Sequence, residues 1–268
     1  MLNKRIISAV IGMVLLILIV VSSNIVLNIS IAIIAIIALY ELFSALKVQK
    51  NFLPAYLGYF SAVVIAFSDY FHPGWMRLLV YVYVALLLLL MLIYYQKIDF
   101  NQIAVTFFAV IYICYFMAHI IFTRDLNNGS ILIWLIFLGA WATDTFAFFV
   151  GSFLGKKKLL PDISPKKTVA GALGGIVGCG LSFLLYGYII HILGNYSVHY
   201  INLLLLGLLS SIFSQLGDLV ASCIKRQYGV KDFGTIMPGH GGILDRFDSI
   251  LFVAPVVYYF VVHFTIIV

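Results

Sequence analysis

The sequence predicts an all-α, polytopic integral membrane protein of about nine transmembrane helices, with its N-terminus in the cytoplasm. Three observations carry this reading. The 268 residues are 64% hydrophobic and only 10% charged, with a mean hydropathy of +1.13, whereas soluble domains are about 45–50% apolar and about 25% charged. The apolar residues fall in nine runs, most of them near the roughly 20 residues that a helix needs to cross a bilayer. The basic residues gather in alternate loops between those runs. A soluble core cannot hide this much apolar surface, so lipid is the solvent for most of it.

The runs lie roughly at 6–22, 25–46, 53–68, 75–95, 102–122, 130–154, 169–193, 201–224 and 243–267. The first follows Met1-Leu2-Asn3-Lys4-Arg5 as the apolar stretch of a signal peptide would. It is long for one, and no small-x-small cleavage site stands near Ser22 and Ser23, so it reads as a retained spanning helix. The run at 53–68 is the weakest, close to the lower length limit. A spanning chain must satisfy its backbone hydrogen bonds internally, and the alternation of barrel strands is missing, so the runs are helices. With the N-terminus on one side and nine crossings, Lys4, Arg5, Lys47, Lys50, Lys97, Lys156, Lys157, Lys158, Lys166, Lys167, Lys225, Arg226, Lys231 and Arg246 share that side, which is 14 of the 16 basic residues. Only Arg77 and Arg124 fall opposite. The positive-inside rule makes the crowded side cytoplasmic, and one span more or fewer would scramble the bias.

The chain reads as a single membrane domain, with N-terminal helices over 1–130 and a catalytic region over 131–268 that holds two intramembrane carboxylates, two long polar loops and most of the glycines. No internal repeat is evident. The net charge of +6 and pI near 9.1 come from short loops, which suits topology and anionic head groups. They form no aromatic-interleaved groove, so no nucleic-acid partner is expected. Cys114, Cys179 and Cys223 lie inside or at the ends of apolar runs without CxxC or Cys/His spacing, which argues against a disulfide framework or a zinc site.

Chemistry concentrates in the second region. Asp144, in Trp141-Ala142-Thr143-Asp144-Thr145, and Asp218, in Ser214-Gln215-Leu216-Gly217-Asp218, are carboxylates within apolar runs, which are costly and functional by default. The alternative is a packing carboxyl bonded to a neighbouring Ser, Thr or Gln. Lys156, Lys157, Lys158, Lys166 and Lys167 form an anion site or a topogenic loop. Gly174 and Gly178 suit close helix packing, while Gly171 and Gly174-Gly175 suit either packing or an approach to phosphate. Asp245 and Asp248 are three apart and share a helix face. Carboxylates of this kind can hold Mg2+, often jointly with substrate phosphates, and the cations can neutralise phosphate. That is the equipment of phosphoryl or nucleotidyl transfer.

The stretch Ser222-x-x-Lys225-Arg226-x4-Lys231-Asp232-x-Gly234-x3-Pro238-Gly239-His240-Gly241-Gly242-x-x-Asp245-Arg246-x-Asp248 resembles the signature of the CDP-diacylglycerol synthase (phosphatidate cytidylyltransferase) family. Thr143-Asp144-Thr145, Ser164-Pro165-Lys166-Lys167-Thr168 and Gly217-Asp218 are similar to its other motifs. The resemblance covers about residues 130–255 well and the N-terminal half only by topology. Ala170 departs from it, because the family usually has Glu there, and it is left out of the site. The resemblance implies that CTP and phosphatidic acid give CDP-diacylglycerol and pyrophosphate in phospholipid biosynthesis, at the cytoplasmic face of the cell membrane and among membrane lipids. It implies Mg2+ on Asp218 and Asp245, with Asp248 and Asp144 as further ligands. A monovalent cation such as K+ is left open, as is the oligomeric state, a homodimer among the options. Catalytic roles fall to these acids with Lys225, Arg226 and His240, the last shaping the nucleotide site or contacting phosphate. Ser164, Lys166, Lys167, Thr168, Ser222, Lys231, Asp232, Gly241, Gly242 and Arg246 are expected to bind substrate.

Two rival readings use the same residues. A cation-coupled transporter would place Asp144 and Asp218 on an ion path, against which stand the lack of repeats and the polar residues gathered at one face. A CTP-dependent lipid kinase shares the nucleotide but releases CDP.

Overall fold

The computed structural model describes residues 2–48, 53–71, 75–237, 239 and 241–267. Each apolar run is a helix. In chain order, α1 is Leu2–Val21, α2 Asn24–Ala45, α3 Leu53–Ala66, α4 Trp75–Ile93, α5 Phe100–Arg124, α6 Gly129–Leu154, α7 Val169–Gly194, α8 Tyr200–Gln227 and α9 Leu244–His263. Among the described residues, α2 and α4 to α9 are the seven helices long and apolar enough to cross a membrane. Val10–Val21 and Leu53–Ala66 are shorter apolar helices at the first and third predicted spans. The 14 residues of α3 extend only about 21 Å at about 1.5 Å per residue, against a hydrocarbon core of about 30 Å. The protein is an all-α polytopic membrane protein apart from one small hairpin.

That hairpin gives regular structure to the basic loop after the sixth span. Strands β1 (Lys158–Leu160) and β2 (Ser164–Thr168) pair antiparallel, with Lys158 opposite Thr168 and Leu160 opposite Ser164. Pro161-Asp162 between them supplies turn-forming residues, and the two strands satisfy each other's backbone groups.

The chain divides into two compact units. One comprises Met1–Asp125 and Val230–Arg246. Its core is apolar, with Leu39, Leu42, Phe43, Ile113, Met117 and Ile120 fully buried. Gly58 of α3 lets three helices meet: a methyl group there would touch Thr106 and Val110 of α5 and Phe43 of α2, at 3.6, 3.4 and 3.9 Å. Helix α5 opens on a reciprocal cap, in which Asp99 accepts from the Gln102 N–H at 2.7 Å and the Gln102 side chain accepts from the Asp99 N–H at 3.3 Å, satisfying donors that a helix start leaves unpaired.

The other unit comprises Leu126–Gly229 and Phe247–Val268. Here glycine sets the packing. A methyl group on Gly171 would lie 2.6 Å from the Ala147 carbonyl oxygen, and on Gly174 and Gly178 it would overlap Val150 and Phe146. The glycine face of α7 is therefore spent on close approach to α6. Gly139 sits where α6 meets the other three helices, 3.1 Å from Ser210 of α8 and Val253 of α9 and 3.6 Å from Phe183 of α7, measured from an added methyl. Bilayer hydrocarbon offers helices no hydrophobic incentive to associate, so small residues that bring backbones together carry much of the packing.

Candidate active site

In the second unit the polar motifs gather around Asp248. Its carboxyl is 8% exposed, and the charges of Asp218, Lys225 and Asp144 all act on it. Asp218, Ser222 and Lys225 recur at i, i+4 and i+7 of α8, which puts them on one face. Gly217 brings this face to α9: a methyl group there would stand 2.6 Å from the Asp248 carbonyl oxygen and 3.2 Å from the Ser249 Cα. Any side chain at 217 would hold Asp218 and Asp248 apart. Asp144 contributes from α6, where it is exposed.

The hairpin adds cations to this cluster. Successive strand residues point to opposite faces, so Lys167 pairs with Asp218 while Lys166 is exposed. Ser164, half-buried, begins β2. Thr168 is 6% exposed, and its hydroxyl caps α7 by accepting from the Gly171 N–H at 3.1 Å. Arg226, exposed at the end of α8, donates to the Ile163 carbonyl at 3.5 Å. These residues come together as the sequence motifs suggest, and two of them, Thr168 and Arg226, also hold the hairpin and helix in place.

The remaining motif residues lie in the first unit, on the segment Val230–Arg246. Lys231, Asp232, Gly234, Thr235, Gly241 and Arg246 line an open cleft of about 490 Å³, within the 300–1,000 Å³ typical of small-molecule sites. Lys231 and Arg246 are exposed in it. The Met237 N–H donates to the Gly241 carbonyl at 2.9 Å and closes a turn in which Gly239 and Gly241 have φ of +78° and +84°, backbone that favours glycine. His240 lies outside the described residues. Asp245 is 7% exposed. Its Oδ2 accepts from the Phe233 N–H at 2.8 Å and the Gly242 N–H at 2.9 Å, so one carboxylate oxygen fixes both ends of the loop.

A residue that sequence reasoning passed over completes this loop. Glu41 of α2 is 2% exposed. It accepts from the Ile243 N–H through Oε1 at 3.0 Å and from the Leu244 N–H through Oε2 at 2.9 Å. Added methyl groups on Gly234 and Gly242 would both run into its carboxylate. The signal was present: Glu41 is the only glutamate in the chain and stands within an apolar run, the same costly placement that marks Asp144 and Asp218.

Among the described residues no three Asp, Glu, His or Cys side chains form a group that could hold a metal ion by themselves. Mg2+ is usually bound through one or two carboxylates together with waters and substrate phosphates rather than by an all-protein cage. Asp218 and Asp248 fit that partial kind of site, with Asp144 in electrostatic range.

Comparisons with known proteins place the chain beside one family. Residues 3–264 match the model of the "Cytidylyltransferase family". The chain is 36% identical over 269 residues to a phosphatidate cytidylyltransferase of Bacillus subtilis, covering 98% of each. It is 33% identical over 255 residues to one of Staphylococcus aureus, covering 94% of this chain and 95% of the other. It is also 42% identical over 160 residues to one of Staphylococcus saprophyticus, covering 60% and 59%.

Proposed function

This chain belongs to the cytidylyltransferase family, and from that premise we infer that it is a phosphatidate cytidylyltransferase, making CDP-diacylglycerol in phospholipid biosynthesis. In this reaction an oxygen of the lipid phosphate attacks the α-phosphorus of CTP. The bond between that phosphorus and the α–β bridging oxygen breaks, and pyrophosphate leaves with the electron pair. The nucleophile is already ionised near neutral pH, so the protein needs no strong general base. Its task is to bring two anions together and hold the charge that moves to the leaving group. The observation that carries this reading is the gathering of Asp144, Asp218 and Asp248 with Lys167 and Lys225 in one unit.

In this reading Lys167 and Lys225 neutralise phosphate oxygens, as Arg226 and Lys166 do from the rim. Lys231 and Arg246 bind the triphosphate in the cleft beside the loop, where Asp232 and the backbone of Gly241 and Gly242 shape the wall. Asp218 and Asp248 hold Mg2+, which supplies Lewis-acid polarisation of the phosphates when bound. Purified protein in detergent, given CTP, phosphatidate and Mg2+, should release pyrophosphate in step with CDP-diacylglycerol. Release of CDP with a phosphorylated lipid would instead identify a CTP-dependent lipid kinase.

The reading includes nine spans with the N-terminus and both basic segments on the cytoplasmic face of the cell membrane, where CTP is. Single cysteines placed in residues 156–168 or 225–242 should resist an impermeant thiol reagent applied to intact cells and react once the cells are opened. Labelling of either segment from outside would sink this topology.

A further inference from the structure

Glu41 is buried in α2, where its carboxylate accepts from the N–H groups of Ile243 and Leu244. We propose that it is a positioning residue that sets the shape of the nucleotide cleft, an inference that rests on the cytidylyltransferase reading and assigns a role to the chain's one glutamate.

The argument starts from an expensive burial. A carboxylate inside an apolar helix is retained only where its partners repay the desolvation. Glu41 has such partners. Its two oxygens take the N–H groups of Ile243 and Leu244, consecutive amides at the start of α9, where a helix leaves its N–H groups unpaired. Hydrogen bonds to a charged group are about twice as strong as neutral ones, and two in parallel fix direction as well as distance.

The neighbours of the carboxylate show that this space is reserved for it. Gly234 and Gly242 flank it so closely that a methyl group on either would collide with Glu41 oxygens. Gly234 lines the cleft, and Gly242 hands its own N–H to Asp245. Two buried carboxylates therefore hold one segment. Asp245 ties Phe233 to Gly242, and Glu41 ties the next two amides to α2. The segment between carries the positive-φ glycines Gly239 and Gly241, Lys231 and Asp232 stand immediately before it, and Arg246 stands two residues past Leu244. A carboxylate that grips backbone amides holds the loop whatever its side chains do. Glu41 sets where the two cleft cations stand.

The geometry predicts an effect confined to one substrate. Glu41→Gln keeps the shape but turns one acceptor into an amide donor facing a backbone N–H, so at least one bond is lost and replaced by a donor–donor clash. KM for CTP should rise about tenfold or more, while KM for phosphatidate and kcat at saturating CTP stay within about twofold, the signature of lost binding shared by ground and transition states. Glu41→Asp, which keeps the charge and withdraws it by one methylene, should recover part of the loss. A residue needed only for folding would lower the yield of active enzyme and leave both KM values alone. Gly234→Ala decides the matter if Glu41→Gln does not fold, because its methyl presses on the same carboxylate from the loop side, and it should raise KM for CTP in the same selective way. An unchanged KM for CTP in the folded Glu41 variant, or in Gly234→Ala in its stead, overturns the proposal, as does an equal change for both substrates. A wild-type protein that releases no pyrophosphate from CTP and phosphatidate defeats the cytidylyltransferase reading itself, so the two failures are distinct.

Discussion

Asp248→Asn is expected to lower pyrophosphate release by at least about a hundredfold, the scale seen when one preorganised electrostatic group is removed from an active site, and Asp218→Asn should do the same. The fold should survive both changes. The Asp248 Oδ1 accepts from the Ser249 N–H at 2.8 Å, and an asparagine oxygen keeps that bond. Asp218 lies at the edge of the cluster, paired with Lys167. Neither substitution opens a cavity. Each removes a repulsion between Asp248 and a like charge, so the thermal midpoint in detergent should stay level or rise. This combination separates a functional carboxylate from a packing one: a structural acid loses stability together with activity, whereas these should lose activity alone. Turnover within about threefold of wild type, at a normal melting temperature, would remove the residue from the site.

The second large effect belongs to a residue with no side chain. Gly217→Ala adds a methyl group 2.6 Å from the Asp248 carbonyl oxygen and 3.0 Å from the Phe252 ring. Two of its nearest three neighbours are backbone atoms of α9 and cannot rotate away, so the helices must separate. Overpacking of this kind costs about 1–3 kcal/mol, enough to lower the melting temperature by several degrees. The same separation moves Asp218 away from Asp248, so activity should fall by more than the loss of folded protein explains. Gly12→Ala is the control, since its methyl meets only the end of the Met237 side chain at 4.0 Å and replaces a helical glycine with a better helix former. A Gly217→Ala enzyme with normal melting and normal turnover would show that α8 and α9 need no such proximity.

The architecture was legible because membrane solvation leaves few choices. Nine apolar runs became helices whose ends differ from the expected ones by a few residues, and carboxylates in apolar sequence proved to be clustered or clamped. What escaped was what depends on distant backbone. Glu41 meets amides 202 and 203 residues further along the chain, and backbone N–H groups carry no side-chain signature. The family resemblance implies a metal-ligand role for Asp245. Its Oδ2 also holds two amides of its own loop, a role that residue type alone does not reveal. The hairpin was hidden in a lysine-rich stretch whose composition suggests a solvated loop. Thr168, expected among the substrate contacts from the family motif, also caps α7 through its hydroxyl, a role the motif does not announce.

The grip of Glu41 on the start of α9 also has an order in time. Helix α2 leaves the ribosome about 10–40 s before the amides it will hold, at about 5–20 residues per second over the 203 residues that separate Glu41 from Leu244. Until the start of α9 is made, this carboxylate has none of the backbone partners that Ile243 and Leu244 supply. The first unit cannot finish assembling as its five helices are inserted, because the segment that completes it is synthesised only after α6 to α8. Folding of the segment that Glu41 holds is thereby tied to synthesis of α9: a nascent protein that stalls before it carries an unsatisfied carboxylate within an apolar helix, a costly placement in lipid.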